Sequence, residues 1–207
     1  MKYTYYTIIF FLSTFFWFGC NTSHKYHSAI LQKRASFKDS FLHNARSPLS
    51  ENDLPFLDFF PPDQSWKKKS TITLNDTSEI IQIPTYSGIT KPYTVYGTIT
   101  FFHNGQKISL KVFKSAQKPE NPIYKNHLFL PFKDETNDLT TYGGGRYLEL
   151  SILDIKNNKV ELDFNLCYNP WCAYSDGFNC PVPPLSNHMK LVVNAGEKSY
   201  LGQKKKS

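Results

Sequence analysis

Long apolar runs, internal repeats and closely spaced cysteine pairs are scarce in this chain of 207 residues. The sequence has one long apolar stretch, near its start, with no heptad pattern and no unit that recurs along the chain. We therefore exclude a bundle of membrane-spanning helices, a coiled coil and a repeat array. With 40% hydrophobic and 16% aromatic residues, the chain has the composition of one globular domain.

Basic residues are in excess, but the excess is not concentrated. The chain carries 24 Lys and Arg against 17 Asp and Glu. Lysine triplets occur at Lys67–Lys69 and Lys204–Lys206, and both fall short of a polybasic membrane motif. No fold signature for nucleic-acid binding accompanies the charge. We therefore predict no nucleic-acid partner and at most a weak attraction to anionic membrane surfaces.

The apolar stretch Ile8–Phe18 is typical of the central part of a signal peptide, because it is shorter than the ~20 residues of a membrane span. It ends at "WFGC", where Gly19 stands directly before Cys20. This arrangement resembles the lipobox of bacterial lipoproteins. The resemblance implies that Cys20 becomes the lipid-modified first residue of the mature protein. The alternative is an ordinary secretory peptide or an uncleaved anchor.

These features predict the organisation and the location of the protein. We expect a lipoprotein-type signal peptide over residues 1–19, a polar tether over 20–27 and a single domain over 28–207. The protein would be exported and held at a membrane of the cell envelope by Cys20. Asn21 stands where an Asp would be read as an inner-membrane retention signal, which favours the outer membrane.

Periodicity in the domain predicts one helix followed by strands. Ile30, Phe37 and Phe41 form one apolar stripe, which predicts a helix over residues 28–45 that starts at a serine cap. The segment 53–66, rich in proline and aromatic residues, is typical of an ordered loop packed on the domain. Strand-like runs dominate beyond this loop. The predicted fold is mainly β, an antiparallel β sandwich or barrel-like sheet with one N-terminal α-helix.

Turn residues predict two hairpins. Asn-Gly at 104–105 suits a two-residue type I′ turn, which places Phe101 opposite Ile108 and leaves one face apolar and the other polar. A second hairpin is predicted to turn at Asn-Asn, residues 157–158, between the strand-like runs on either side. A last strand is predicted over 188–195.

Three segments of the C-terminal half are dense in polar residues and glycine. They are "LPFKDETNDLTTYGGGRYLEL", "DFNLCYNPWCAYSDGFNCPVPPLSNH" and "NAGEK". The motifs TYG and GRYL at 141–148, LDFN at 162–165, YNP at 168–170, CAY at 172–174 and AGE at 195–197 resemble, in this order, a bacterial family known only as a domain of unknown function, number 1684. The resemblance covers about residues 128–198. It implies membership of the family and no known activity.

The glycine run before Arg146 is open to two interpretations. Glycine backbones can approach an anion, and Arg146 could pair with that anion. However, the run leads into a strand-like segment, so it lacks the helix N-terminus that strengthens phosphate loops. The second interpretation is a turn at the start of a strand, with Arg146 paired to a carboxylate such as Asp134 or Asp163.

Three cysteines lie in the domain, at Cys167, Cys172 and Cys180. In an oxidising compartment the natural disulfide is Cys172–Cys180, with Cys167 left reduced. Zinc bound by the three cysteines and His188 is a rival, although their spacing lacks the close pairs of structural zinc sites. A cysteine nucleophile with His188 or His127 as base, and unpaired packed thiols, are further alternatives. We predict the disulfide, no metal and no cofactor.

The polar residues of the three segments predict one candidate ligand-binding surface. Its members are Asp134, Tyr142, Arg146, Asp163, Asn165, Tyr168, Asn169, Tyr174, Asn187 and Glu197. We predict a binding or interaction module that takes a small polar or anionic ligand or an envelope partner protein.

An envelope hydrolase that uses the same surface is the alternative function. Its residues would be Asp134, Arg146, Asp163 and Tyr168. Paired carboxylates perform acid–base hydrolysis when they converge, as Asp134 with Asp163 would, or Glu149 with Glu161. No catalytic residue can be assigned from the sequence, because alternate residues of a strand point to opposite faces.

Overall fold

The computed structural model describes residues 4–76, 79–118 and 122–206, with side chains from residue 23 onward except that of residue 123. The side chain of Cys20 and those of the predicted signal peptide lie outside the described residues. Helix α1 (Thr4–Leu42) precedes the strands β1 (Lys67–Leu74), β2 (Ile80–Pro84), β3 (Thr90–His103), β4 (Gln106–Ser115), β5 (His127–Phe132), β6 (Arg146–Ser151) and β7 (Lys159–Asp163). Short 3₁₀ helices lie at Glu51–Phe56, Gln64–Trp66, Pro122–Asn126, Ile152–Asp154, Phe164–Leu166, Trp171–Ala173 and Leu185–Asn187. Within this part of the chain, no helix combines the length and the hydropathy that a membrane span needs.

The strands form one antiparallel sheet in the order β6-β5-β4-β3-β1-β7, with β2 also paired to β3. The length of β3 makes this possible, because residues 90–94 pair with β2 and residues 97–100 pair with β1. A register shift between Val95 and Gly97 separates the two halves. The sheet curls into a half-barrel. The predicted antiparallel fold with one N-terminal helix is therefore confirmed, in its barrel-like form.

The hairpin at Asn104 and Gly105 is confirmed. Both residues have positive φ, 49° and 78°, as a type I′ turn requires. The register places Phe101 opposite Ile108 as predicted. Both side chains are buried, and their face of the hairpin forms the centre of the main core.

The second predicted hairpin is wrong. Residues 157–158 do form a turn with positive φ, but β6 pairs with β5 and β7 pairs with β1, at opposite ends of the sheet order. The 3₁₀ turn at Ile152–Asp154 ends β6. Ser151 Oγ accepts the N–H of Leu153, and the carboxylate of Asp154 accepts the N–H of Ser151. These side-chain bonds favour a turn over an extended strand at residues 151–154. The strand therefore ends there, although the alternation of apolar and polar residues continues along the sequence.

The last predicted strand, over residues 188–195, is also wrong. The segment runs beside the chain that follows β5 and makes scattered bonds, such as the N–H of Met189 to the carbonyl of Lys133. The carbonyl of Val193 accepts instead from the side chain of Arg146. A ladder does not form because a buried guanidinium group uses backbone acceptors that a neighbouring strand would need.

Helix α1 covers residues on both sides of Ser28, so the predicted start there is wrong. The segment predicted as a polar tether is helical as well. Tyr26, within that segment, donates a hydrogen bond of 3.0 Å to the carboxylate of Asp163. The predicted stripe does face the domain, since Ile30 and Phe41 are buried.

The loop over residues 53–66 is ordered and packed on the domain, as predicted. Leu57 and Trp66 are buried. The N–H of Phe60 donates to the carbonyl of Gly196 at 3.0 Å. This bond ties the loop to the "NAGEK" segment and helps to enclose the residues described next.

Candidate functional site

Arg146 begins β6 and is fully enclosed, with an exposed fraction of 0%. Its guanidinium group forms an ion pair with Asp134 at 2.8 Å. It also donates to the backbone carbonyls of Val193, Ala195 and Glu197. The interpretation as a strand-start turn with a carboxylate partner is confirmed. A guanidinium group held in this way braces the chain and does not meet a ligand from solvent.

Glu197 is the centre of a second buried polar cluster, which lies beside the cluster around Arg146. Its side chain has 0% exposure, accepts the N–H of Asn169 at 2.8 Å and accepts the hydroxyl of Tyr174 at 2.8 Å. Burial raises the pKa of Glu197 to about 7, against the opposing effect of these hydrogen bonds. The preceding Gly196 has a φ of 75°, and an added Cβ would overlap the sulfur of Cys167. Glycine is required there.

Asn165 and Asp163 join helix α1 to the sheet. The Asn165 amide donates to the hydroxyl of Tyr26 and to the backbone carbonyl of Asp63, each at 2.8 Å. Arg34, buried on the helix stripe, donates to the backbone carbonyl of Asn165 at 3.0 Å. Tyr26 and Arg34 were not among the predicted residues, although Arg34 occupies the expected apolar stripe. A charged residue on an otherwise apolar helix stripe indicates a buried hydrogen bond to another segment, because an unpaired buried charge is costly.

Two further predicted residues, Asn187 and Tyr142, contact other parts of the domain, Asn187 through hydrogen bonds and Tyr142 through its ring. The amide of Asn187 bonds the N–H and the carbonyl of Lys111 and the carbonyl of Pro131, each at 2.8 Å. Tyr142 packs edge-on to Tyr86, with 6.4 Å between ring centroids. Asn187 therefore fixes its loop to the sheet.

The disulfide Cys172–Cys180 is confirmed, with 6.2 Å between the Cα atoms. Cys167 is free and buried, and burial raises the pKa of its thiol to about 11. It is therefore a neutral, packed thiol. The zinc alternative loses two of its thiolates to the disulfide, and the described residues contain no group of three or more potential ligands for a metal ion.

A surface groove of about 760 Å³ lies between the end of α1, strand β6 and the disulfide loop. It is lined by Phe37, Ser40, Asn44, Arg46, Lys91, Tyr124, Tyr147, Glu149, Tyr168, Pro170, Trp171, Gly177, Phe178, Asn179, Cys180 and Pro181. Tyr168 is the one predicted site residue that lines it. A second groove of about 730 Å³, along α1, contains Tyr168 and Asp163. Asp134 and Arg146 line neither groove, so the four named residues of the hydrolase alternative do not converge on one cleft. Its second carboxylate pair, Glu149 and Glu161, does line the second groove.

Tyr168 and Glu149 form the polar centre of the first groove. The Tyr168 hydroxyl donates to Oε1 of Glu149 at 2.5 Å, and Nε2 of His127 lies 3.6 Å from the same oxygen. Partial burial acts to raise the pKa of Glu149, but the nearby His127 ring and the hydrogen bond from Tyr168 outweigh it and lower the pKa. Burial, and then the charge of Glu149, raise the pKa of Tyr168 well above its ordinary value. Tyr168 is therefore a fixed donor and Glu149 a fixed carboxylate.

The chain is a half-barrel domain braced by a buried guanidinium group. The chain belongs to the family described as "Protein of unknown function (DUF1684)", whose model matches residues 52–198, so the predicted family is confirmed. A solved relative is the solution NMR structure of an uncharacterized protein of Haloarcula marismortui. It is 33% identical, with a TM-score of 0.66, and the match covers 88% of this chain and 99% of that one. No curated protein matches the chain.

Several residues of the groove were missed from the sequence. Arg46 follows the helix, Lys91 begins a strand and Tyr124 lies in a 3₁₀ turn. These positions are far apart in the chain, and no local pattern marks them as partners. Trp171 lies within one of the polar segments, but an isolated tryptophan in a loop has no local pattern that distinguishes a groove wall from a core residue.

Proposed function

We propose that the protein is a ligand-binding module of the cell envelope and that it does not catalyse a reaction. The observation that carries the proposal is the groove of about 760 Å³. Sites for small molecules usually have about 300–1,000 Å³, and the groove falls in this range, with a wall that is about equally polar and apolar. Tyr124, Tyr147 and Trp171 supply aromatic wall, and the pair Tyr168–Glu149 supplies the fixed polar contact.

The titration behaviour of the groove favours binding over catalysis. A general acid or base works best when its pKa lies near the working pH. The pKa of Tyr168 is raised well above that range and the pKa of Glu149 is lowered. Glu197, with a pKa of about 7, has the right value but is enclosed away from the groove.

The same proposal includes export and a lipid anchor at Cys20. It is supported by the short apolar stretch and the Gly-Cys pair that follows it. The disulfide Cys172–Cys180 also favours an oxidising compartment. The module would then act at a membrane surface of the envelope, the outer membrane being favoured by Asn21.

Binding in the groove can be tested with a fragment screen by ligand-observed NMR on the full chain in detergent. Tyr124 lines the groove and is 55% exposed, so Tyr124→Ala should weaken hits without unfolding the domain. Phe102→Ala is the matched control, because Phe102 is 63% exposed and does not line the groove. If no hit discriminates between the two variants, the groove is not a site. Turnover of any bound compound would refute the non-catalytic role.

The anchor can be tested by expressing the full chain and a Cys20→Ala variant with a labelled fatty acid. We expect label and membrane fractionation for the unchanged chain and neither for the variant. Equal labelling of the two proteins would refute lipidation at Cys20, and an unlabelled chain in the cytosol would refute export.

A further inference from the structure

Two cationic side chains, Arg46 and Lys91, line the same groove. Arg46 comes from the segment after α1 and is exposed, and Lys91 comes from the start of β3 and is half-buried. The ion pairs found among the described residues involve neither of them. Burial lowers the pKa of Lys91, and the positive charge of Arg46 lowers it further. The two cations therefore lie near each other, and no carboxylate from the described part of the chain forms an ion pair with either.

The groove's own carboxylate offsets only one of the two cations. Among the described residues that line the groove, Glu149 is the only acid. Its Oε1 atom is held by the Tyr168 hydroxyl at 2.5 Å and lies 3.6 Å from His127. A hydrogen bond from a neutral hydroxyl leaves the carboxylate its charge, so Glu149 offsets one cation and the groove keeps a net positive charge. A pair of like charges in a partly enclosed site is unfavourable unless an anion joins it.

We infer that the groove binds an organic oxyanion, a small molecule with a phosphate or carboxylate group held by Arg46 and Lys91 and an apolar or ring-shaped body against the aromatic walls. This inference rests on the proposed function and names its ligand class. Arg binds oxyanions through paired N–H donors and Lys acts as a point charge. Ser40 and Asn44 line the same groove and add neutral hydrogen-bonding groups. The body of the ligand lies against Trp171 and Phe178, whose ring centroids are 5.1 Å apart.

One of the two interpretations of the sequence had an anion at Arg146, and this assignment gives the anion to a different arginine. Arg146 is enclosed and already bound to Asp134, whereas Arg46 is exposed and faces a cavity. A volume of about 760 Å³ exceeds what an inorganic ion needs, so the organic body is part of the inference.

Phenyl phosphate is a suitable probe because it joins an oxyanion to an aromatic ring. We would titrate it into the full chain in neutral detergent by NMR, beside phenyl glucoside as a neutral ring and inorganic phosphate as a bare anion. We expect phenyl phosphate to bind more tightly than either. In the double variant Arg46→Gln with Lys91→Gln, its affinity should fall by about tenfold or more.

The double variant Lys107→Gln with Lys190→Gln is the matched control. It removes the same charge from exposed lysines that do not line the groove, and its affinity should change by less than about twofold. Equal losses in both variants would mean attraction by net charge only and would overturn the inference. So would binding of phenyl glucoside that exceeds binding of phenyl phosphate, although the groove would then remain a binding site. Failure of all three probes and of the fragment screen would instead refute the proposed function.

Two sources of the oxyanion can be separated by a competition. Phosphatidylcholine vesicles that contain phosphatidic acid, unlike vesicles of phosphatidylcholine alone, would displace phenyl phosphate if a lipid headgroup reaches Arg46 and Lys91. Displacement by soluble octyl phosphate but not by the vesicles would assign the groove to a free ligand. Both outcomes support the oxyanion, whereas displacement by vesicles that persists in the Arg46→Gln, Lys91→Gln variant would contradict the site.

Discussion

The buried cluster around Arg146 and the groove around Tyr168 draw on the same polar segments, yet they are opposite in character. In the cluster, Arg146 and Glu197 have 0% exposure, and their hydrogen bonds join backbone or other buried groups. In the groove, the side chain of Glu149 keeps 51% exposure and faces a cavity. Density of polar residues in the sequence therefore marks internal bracing as readily as it marks a site.

Strand β6 shows how one motif supplies both regions. Arg146 and Leu148 point to the buried side, whereas Tyr147 and Glu149 line the groove. Successive residues of a strand project to opposite faces of the sheet. The pleat thus divides one motif into two sets of residues. Arg146 and Leu148 form a structural half that holds the fold, and Tyr147 and Glu149 form a half that a ligand can reach. Substitutions in the buried cluster should therefore cost more stability than substitutions in the groove.

The largest effect is expected from Arg146→Met. The variant leaves the carboxylate of Asp134 enclosed without its cation, which costs about 3–5 kcal/mol of unfolding free energy. Urea denaturation followed by circular dichroism measures the loss. Lys107→Met, on the exposed face of β4, is the control and should change little. A loss below about 1 kcal/mol for Arg146→Met would mean that the cluster does not brace the fold.

Glu197 should make stability fall as the pH rises. Its pKa is raised from 4.5 to about 7 in the folded protein, so between these values the folded state holds a proton that the unfolded chain releases. This contribution is complete at low pH and is lost as the pH rises through about 7, by about 3 kcal/mol. Glu197→Gln does not titrate and removes that part of the slope.

The measurement is urea denaturation of the unchanged protein and of Glu197→Gln at pH 5 and at pH 8. The difference between the two proteins isolates Glu197 from the other titrating groups. Parallel pH profiles would contradict the prediction.

A pair of glycine substitutions compares the cluster with an open turn. Gly196 and Gly105 have similar φ angles, 75° and 78°, so alanine has a similar backbone cost of about 1 kcal/mol at both. Only at Gly196 does the new Cβ overlap Cys167 and neighbouring carbonyl oxygens, whereas nothing lies within 4 Å at Gly105. Gly196→Ala should therefore lose about 1–3 kcal/mol more than Gly105→Ala. Equal melting temperatures for the two variants would show that the segment relaxes freely.

The smallest effect is expected in the groove. Arg46→Gln and Lys91→Gln remove charges that have no carboxylate partner among the described residues, so each should change the unfolding free energy by less than about 0.5 kcal/mol. Any change should be towards greater stability, because the charge of Arg46 opposes that of Lys91. A loss above about 1 kcal/mol, measured by thermal unfolding, would place the pair in the structural half.

Predictions from sequence succeeded where a residue acts on its near neighbours. The positive φ of Asn104 and Gly105 set the register of β3 and β4. The eight-residue separation of Cys172 and Cys180 let them form the disulfide. The hairpin at 157–158 failed because its turn formed while β6 and β7 found partners elsewhere in the sheet. A turn reverses the direction of the chain, but the burial of apolar faces across the whole sheet decides which strands pair.

The sequence by itself determined the β-rich fold with its N-terminal helix and the first hairpin, since periodicity and turn chemistry act over short distances. It also identified the family, through the resemblance of its ordered motifs, and the disulfide, through the cysteines expected to pair in an oxidising compartment. Only the tertiary structure decided that Arg146 is enclosed and that Arg46 and Lys91 share a groove. Whether a charged side chain meets solvent, a ligand or a buried carboxylate depends on chain segments that are brought together after the sheet has curled. Burial and charge pairing are properties of that assembly, and no local pattern encodes them.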